Sequence, residues 1–313
     1  MTPLRYSVLG AGAMGSVFGA RLRLAGFEVE LLNRSPAHSE AIRANGLQAT
    51  LDGTRHTLDI AATTVDQARP ADVVIAFTKS HQLQAALQAL PDTLQQAQVL
   101  VLQNGLGNGE RAAQLLGAER VIEGVSMMPA EFISPGVIAS SDAAQTWMYP
   151  LSGELSAQAR QIGEDFNQAG IITHVIPEVR QFIWQKACFN IAMNALCGLT
   201  QGSPGLLQQF PDGRALAHEL ADEALQVARL SGVELDDNKV HELIDYACAQ
   251  HRFHKPSMLQ DLEQGRRTEI EALNGYLVAR ADELGVAVPL NRVLLRLLRL
   301  RERAPEFWEQ EPA

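Results

Sequence analysis

The stretch Val8-Leu9-Gly10-Ala11-Gly12-Ala13-Met14-Gly15 decides how the chain begins. It is a G-x-G-x-x-G pattern. The apolar residues before it, Tyr6 to Leu9, read as a strand, and Ala13 to Ala25 after it read as a helix. In that setting the three glycines permit a tight turn, let a backbone approach a pyrophosphate, and let helix and strand pack closely. The helix N-terminus then faces the phosphate with unpaired N–H groups and a partial positive charge. Glycines also serve ordinary tight turns, so the flanking strand and helix are what make the pattern informative. Gly10, Ala11, Gly12, Ala13, Met14 and Gly15 are the candidate cofactor loop.

Outward from this turn the first half alternates short apolar runs with amphipathic stretches, the pattern of a parallel sheet flanked by helices. Glu28 to Leu32 reads as the second strand. Val73 to Phe77 and Val99 to Leu102 are nearly all apolar, as buried central strands are. Further strands are expected near 121–125, 137–139, 146–149 and 171–175. Asp52-Gly53 between two alternating runs predicts a hairpin with a type I′ turn. After Pro177 the pattern is helical nearly to the end, with breaks at 202–205, 211–213, Gly232 and Pro289. The fold class is therefore α/β: an N-terminal Rossmann dinucleotide-binding domain over 1–177, then an all-helical domain over 178–313.

The end of the second strand bears on which nicotinamide cofactor is used. An NAD enzyme usually places Asp or Glu there to hold the ribose 2′-hydroxyl. Here the sequence is Leu31-Leu32-Asn33-Arg34-Ser35, without an acid. The planar fork of Arg34 suits a 2′-phosphate, so NADP(H) is the expected cofactor, although an arginine after a strand is also simply solvated. Lys79, just past the strand ending at Phe77, could add a second cation or be an ordinary surface lysine. Gln103-Asn104-Gly105-Leu106-Gly107-Asn108 follows another buried strand, where ligands of such sheets lie. Asn104 is a candidate there for nicotinamide and substrate, and equally a turn-forming residue of a glycine-rich loop.

Phe182 to Leu199 is apolar almost all round, so the helix is expected to be buried. Lys186, Asn190 and Asn194 interrupt it at four-residue intervals, which stacks them on one face. Asparagine is a poor helix former and a buried ammonium is costly, so the stripe calls for a reason. Lysine suits carbonyl reduction: charge grows on oxygen as hydride arrives, and a cation with a transferable proton stabilises and quenches it. Further on, Ser257 with Gln260 and Thr268 with Glu271 each match a helix capping box, which would put Glu269 in a first turn.

These residues together resemble the ketopantoate reductase family. The resemblance runs along essentially the whole chain: G-A-G-A-M-G at the N-terminus, F-T-K-S ending at Ser80, and Q-N-G-L-G-N from Gln103. It continues with W-Q-K-A-C-F-N-I-A-M-N-A-L from Trp184 and P-S-M-L-Q-D-L-E-Q-G-R-R-T-E-I-E-A-L-N-G from Pro256. It implies a Rossmann domain and a helical domain with the active site between them. It implies Lys186 as the general acid, Asn190, Asn194 and Ser257 on the substrate, and Asn104 near nicotinamide and substrate. Glu269 would border both reactants, and Arg34 and Lys79 match positions for the NADP phosphate. Two positions depart from the pattern. Pro204 and His254 stand where additional asparagines are expected, which bears on the keto acid accepted. The activity implied is NADPH-dependent reduction of 2-dehydropantoate to pantoate, toward pantothenate and coenzyme A. Alternatives are reduction of another branched or aromatic 2-keto acid, or a protein that senses NADP(H) without turnover.

Composition sets the outer limits. A chain of 313 residues with 46% hydrophobic and 20% charged residues is ordinary for a globular protein. A net charge of −10 argues against nucleic acid or anionic lipid as partner. The partners expected are a small 2-keto acid and, as an open option, a second copy of the chain. Arg292, Arg296, Arg299 and Arg303 share one side of the last helix, opposite Val293, Leu294, Leu297, Leu298 and Leu300, which reads as a solvated face over a packed one. Cys188, Cys197 and Cys248 lack a C-x-x-C pair and read as buried thiols in a reducing compartment. His251 and His254 share a helix face by spacing but lack a third ligand, so no metal is expected. With no signal peptide or membrane helix recognisable, a cytoplasmic protein is expected.

Overall fold

The computed structural model describes residues 3–34, 36–141 and 144–308. They form two compact units. Among the described residues, the first comprises those up to 103 together with those from 107 to 179, and the second comprises 104–106 and those from 180 onward.

The first unit is built on strands β1 (Arg5–Leu9), β2 (Glu28–Leu32), β3 (Leu47–Leu51), β4 (Thr54–Leu58), β5 (Ala61–Thr63) and β6 (Val73–Ala76). They are followed by β7 (Gln98–Val101), β8 (Val121–Ser126), β9 (Glu131–Ser134), β10 (Val137–Ser140), β11 (Thr146–Pro150) and β12 (Thr173–Val175). Its helices are α1 (Ala13–Leu24), α2 (Pro36–Asn45), α3 (Leu83–Gln88), α4 (Asn108–Leu116) and α5 (Ala157–Gln168). Eight strands make the main sheet in the order β12-β11-β8-β7-β6-β1-β2-β5. All neighbours are parallel except β8 and β11. The central strands carry side chains buried on both faces, and Val8, Val74, Ile75 and Leu100 have no exposed surface. This is the Rossmann type expected. The chain leaves β1 toward β2 and returns to β6 on its other side, so the carboxyl end of β1 is a topological switch point.

The Asp52-Gly53 hairpin forms as predicted, with φ of 49° and 79° at the two turn residues, as a type I′ turn requires. The Arg21 guanidinium ties it to α1 through two hydrogen bonds to the Asp52 carboxylate, at 2.8 and 2.9 Å. A second sheet, in the order β4-β3-β10-β9, was not legible in the sequence. Its β3–β10 pairing joins Gln48 with Val137, across a separation that no local pattern reports.

The second unit is helical: α6 (Val179–Thr200), which opens at the boundary, then α7 (Pro204–Gln209), α8 (Pro211–Leu230) and α9 (Asp237–Gln250). They are followed by α10 (Ser257–Glu263), α11 (Asn274–Leu284) and α12 (Pro289–Trp308). The second half of α6 is buried as its composition predicts, with Ile191, Ala192, Ala195 and Cys197 at 0% exposure. Asn274 locks this helix into the core. Its amide donates to the Ile191 carbonyl at 3.2 Å and to Asn291 Oδ1 at 2.8 Å.

Four expectations need correction. The break at 211–213 narrows to Phe210, because Pro211 sits at the first position of α8, where its missing N–H costs nothing. On α12 the buried residues are Leu294, Leu295 and Leu298, whereas Val293, Leu297 and Leu300 are exposed. Of the four arginines on that side, Arg296, Arg299 and Arg303 are exposed as expected, but two of the four are paired, Arg299 with Glu271 and Arg292 with Asp282. His251 and His254 lie beyond the end of α9 and share no helix face. Among the described residues no group of three or more His, Cys, Asp or Glu could hold a metal ion, and no helix is long and apolar enough to cross a membrane.

Candidate functional site

The candidate cofactor residues lie in the first unit, beyond the carboxyl ends of four neighbouring strands, β2, β1, β6 and β7. Gly10 follows β1 with φ of 88°, a conformation that L side chains rarely adopt. A Cβ there would sit 2.6 Å from the Thr78 nitrogen beyond β6. Gly15 is excluded from carrying a side chain by the Gly10 carbonyl oxygen, 2.6 Å from where its Cβ would be, so α1 packs directly on the turn. Gly12 differs, because nothing lies within 4 Å of its Cβ position. The backbone there is open to a ligand, no side chain caps α1, and its first turn, with Ala13 and Met14, holds no acidic residue. An orphan set of N–H groups beside open space suits the pyrophosphate of a dinucleotide.

Arg34, two residues past β2, is exposed and has no hydrogen-bond or ion-pair partner among the described residues. The buried acid of β2 is Glu30, which is occupied by the Arg69 backbone N–H at 2.9 Å and its guanidinium at 3.1 Å. Asn33 spends its amide on Ser39 Oγ at 3.1 Å. Lys79 follows β6, partly exposed, and opens a 3₁₀ turn. Gln103, beyond β7, donates to Thr78 Oγ1 at 3.0 Å, while its own buried Oε1 has no partner among the described residues.

A second group of candidate residues lies in the helical unit. Lys186 is partly exposed as a residue, yet its ammonium is surrounded by protein. Desolvation brings its pKa down to about 8, and the Glu269 carboxylate opposes that shift. Asn190 and Asn194 continue along the same face of α6, buried at 7% and 8% exposure. Asn194 Nδ2 lies 3.5 Å from Ser257 Oγ, at the limit of a hydrogen bond.

The capping box expected of Ser257 does not form. Ser257 is the first residue of α10, its side chain caps nothing, and Gln260 bonds back to the Lys255 carbonyl at 2.7 Å. The hydroxyl is thereby left facing Asn194. Thr268 does accept from the Ile270 N–H at 3.1 Å, but Glu271 turns to Arg299 instead of completing the box. Glu302 of α12 accepts from the Thr268 N–H at 2.7 Å, so α12 holds both sides of the segment that carries buried Glu269.

Asn104 groups with the helical unit. The Leu106 N–H donates to the Ala272 carbonyl at 2.8 Å. Gly105, with φ of 92°, leaves room for Ala272, whose Cβ would stand 2.7 Å from a side chain there. The two positions that depart from the family pattern lie on touching segments, since the Gly205 N–H donates to the Arg252 carbonyl at 3.0 Å. Pro204 is buried at the start of α7, and burial with nearby His251 pushes the His254 imidazole below its ordinary pKa. Asn274 and Asn291 went unremarked in the sequence, although both are fully buried and brace α6 between Asn190 and Asn194. An N-G pair reads as a turn, which hides such a role.

A Rossmann unit with an open glycine-rich loop, followed by a helical unit with a lysine and two buried amides on one helix face, has the parts of a nucleotide-dependent oxidoreductase. Comparison with known proteins agrees with this class. The family described as "Ketopantoate reductase PanE/ApbA" matches residues 6–153, and its C-terminal counterpart matches 178–302. The chain is similar to 2-dehydropantoate 2-reductase of Halobacterium salinarum, with 32% identity covering 96% of this chain and 99% of that one. A crystal structure of a PanE/ApbA family ketopantoate reductase from Ralstonia eutropha matches with 33% identity and a TM-score of 0.89, covering 97% of this chain and 100% of that one. A ternary structure of D-mandelate dehydrogenase with NADH and anilino(oxo)acetate matches at 27% identity and a TM-score of 0.90, with the same coverage. The chain belongs to the ketopantoate reductase family.

Proposed function

We propose that this protein reduces a small 2-keto acid with NADPH, that the acid is 2-dehydropantoate, and that the product is pantoate. The observation that carries the reading is the desolvated Lys186 at the head of a stripe of buried amides. The names of the relatives and the full-length match support the substrate. The reading implies a role in pantothenate synthesis and, with it, a cytoplasmic protein.

Each group then has a task. Gly10, Ala11, Gly12, Ala13, Met14 and Gly15 would hold the pyrophosphate, and Arg34 with Lys79 would hold a ribose 2′-phosphate, a choice supported by the missing acid after β2. When bound, the reduced nicotinamide supplies the hydride. The Lys186 ammonium stabilises the charge that grows on the substrate's carbonyl oxygen and gives that oxygen its proton, ending as a neutral amine. Asn190, Asn194 and Ser257 would hydrogen-bond the carboxylate and hydroxyl of the substrate, with Asn104 beside the reacting carbon. Glu269 keeps the lysine cationic.

The test is NADPH oxidation with 2-dehydropantoate beside a panel of other branched and aromatic 2-keto acids. A kcat/KM of roughly 10⁴ M⁻¹s⁻¹ or more, well above the rest, is expected. Lys186→Ala should cut kcat by roughly 10²–10⁴. Greater activity on another keto acid refutes the substrate, and unchanged kcat in a folded Lys186→Ala protein refutes the mechanism.

A further inference from the structure

The first unit holds a polar chain that the proposed function does not use. His38, in the first turn of α2, is buried, and both of its ring nitrogens are engaged. The backbone N–H of Gly136, in the turn between β9 and β10, donates to Nδ1 at 2.9 Å. An amide nitrogen can only donate, so Nδ1 carries no proton, and the proton of the neutral ring is on Nε2. Nε2 lies 3.1 Å from Ser16 Oγ and therefore donates to it. The Ser16 hydroxyl donates in turn to the Ala11 carbonyl at 3.1 Å. The bonds run in one direction, from Gly136 through His38 and Ser16 to Ala11. Burial pushes the His38 pKa below its ordinary value, which favours the neutral ring that this direction needs.

Ala11 is the second residue of the glycine-rich turn. Its N–H is held by the Leu32 carbonyl at 3.3 Å and its carbonyl by Ser16, so Ala11 is held through both of its backbone polar groups. That orientation matters at a helix N-terminus. A carbonyl oxygen turned toward the free N–H groups of α1 would set negative charge against a bound anion. The same turn of α2 also fixes the end of β2, since Ser39 accepts the Asn33 amide one residue before Arg34.

We propose that His38, acting through Ser16, is a positioning residue for the cofactor: it holds the Ala11 carbonyl away from the pyrophosphate site and links that loop to the turn beside Arg34. The inference rests on the reading that Gly10 to Gly15 hold a dinucleotide.

The experiment compares the wild type with Ser16→Ala, His38→Asn and the double variant, by fluorescence titration with NADPH and with ADP-ribose. Ser16→Ala is compatible with folding, because alanine favours the helix and the change removes one buried hydroxyl. His38→Asn keeps an acceptor for Gly136 but falls short of Ser16. Each single variant should raise the Kd of both nucleotides roughly five- to tenfold, the size of one lost hydrogen bond. KM for NADPH should rise by a larger factor than kcat falls, and each variant should stay folded at the assay temperature although the groups left unpaired lower its melting temperature by a few degrees. The double variant should be no weaker than the weaker single one, because both act through one chain. Unchanged Kd in Ser16→Ala, or losses that add independently, overturns the inference while leaving the dinucleotide site intact. A wild type that binds neither NADPH nor ADP-ribose overturns both.

Discussion

Raising the pH should switch off keto acid reduction near pH 8, and the surroundings of Lys186 set the size of the effect. A pKa of about 8 leaves about three quarters of the lysine protonated at about pH 7.5 and about one tenth at about pH 9. If the ammonium delivers the proton, kcat for reduction falls about eightfold across that range and about tenfold per pH unit beyond it. A lysine at its ordinary pKa near 10.4 would lose less than about 5% over the same interval. The sign reverses for oxidation of the hydroxy acid, which needs the neutral amine and so speeds up as pH rises through about 8. Glu269 supplies an internal control. Its carboxylate raises the lysine pKa, so Glu269→Gln should move the falling limb to lower pH. The assay is single-turnover reduction at saturating NADPH and keto acid, in buffers of matched ionic strength. A wild-type rate that stays flat from about pH 7 to about pH 9.5, with a folded protein throughout, would refute the lowered pKa of Lys186, while its role as proton donor is tested separately by Lys186→Ala. A falling limb that ignores Glu269→Gln would refute the electrostatic part alone.

Three further outcomes are expected. Arg34→Ala should raise the Kd for NADPH roughly tenfold or more and leave NADH within about twofold, by fluorescence titration; equal losses for both would make the arginine structural. Gly15→Ala puts a Cβ 2.6 Å from the Gly10 carbonyl oxygen and should abolish dinucleotide binding or lower the melting temperature by several degrees, and wild-type values of both would show that α1 can back away from the turn. Tyr6→Phe removes the 2.6 Å hydrogen bond to Asp165 and leaves a buried carboxyl without that partner, at a cost of about 1–3 kcal/mol in urea unfolding; a loss below about 0.5 kcal/mol would mean that Asp165 finds another donor.

The amino-acid sequence by itself determined whatever depends on neighbours a few positions apart. The turn from β1 into α1 follows from Gly10, Gly12 and Gly15, the hairpin from Asp52-Gly53, and the face shared by Lys186, Asn190 and Asn194 from the helical repeat. These are short-range consequences of backbone sterics and periodicity, and they carried both the fold class and most candidate residues. Only the tertiary structure decided what depends on contacts between distant segments. Ser257 reads as a cap from its local pattern, yet it faces Asn194 from 63 positions away. The exposed Val293, Leu297 and Leu300 read as a packed face because periodicity says which residues share a side, not which side meets the core. The pairing of β3 with β10, the link from Gly136 through His38 to Ala11, and the lowered pKa of Lys186 arise in the same way. Desolvation and hydrogen-bond direction are properties of a filled space, which no spacing along the chain records.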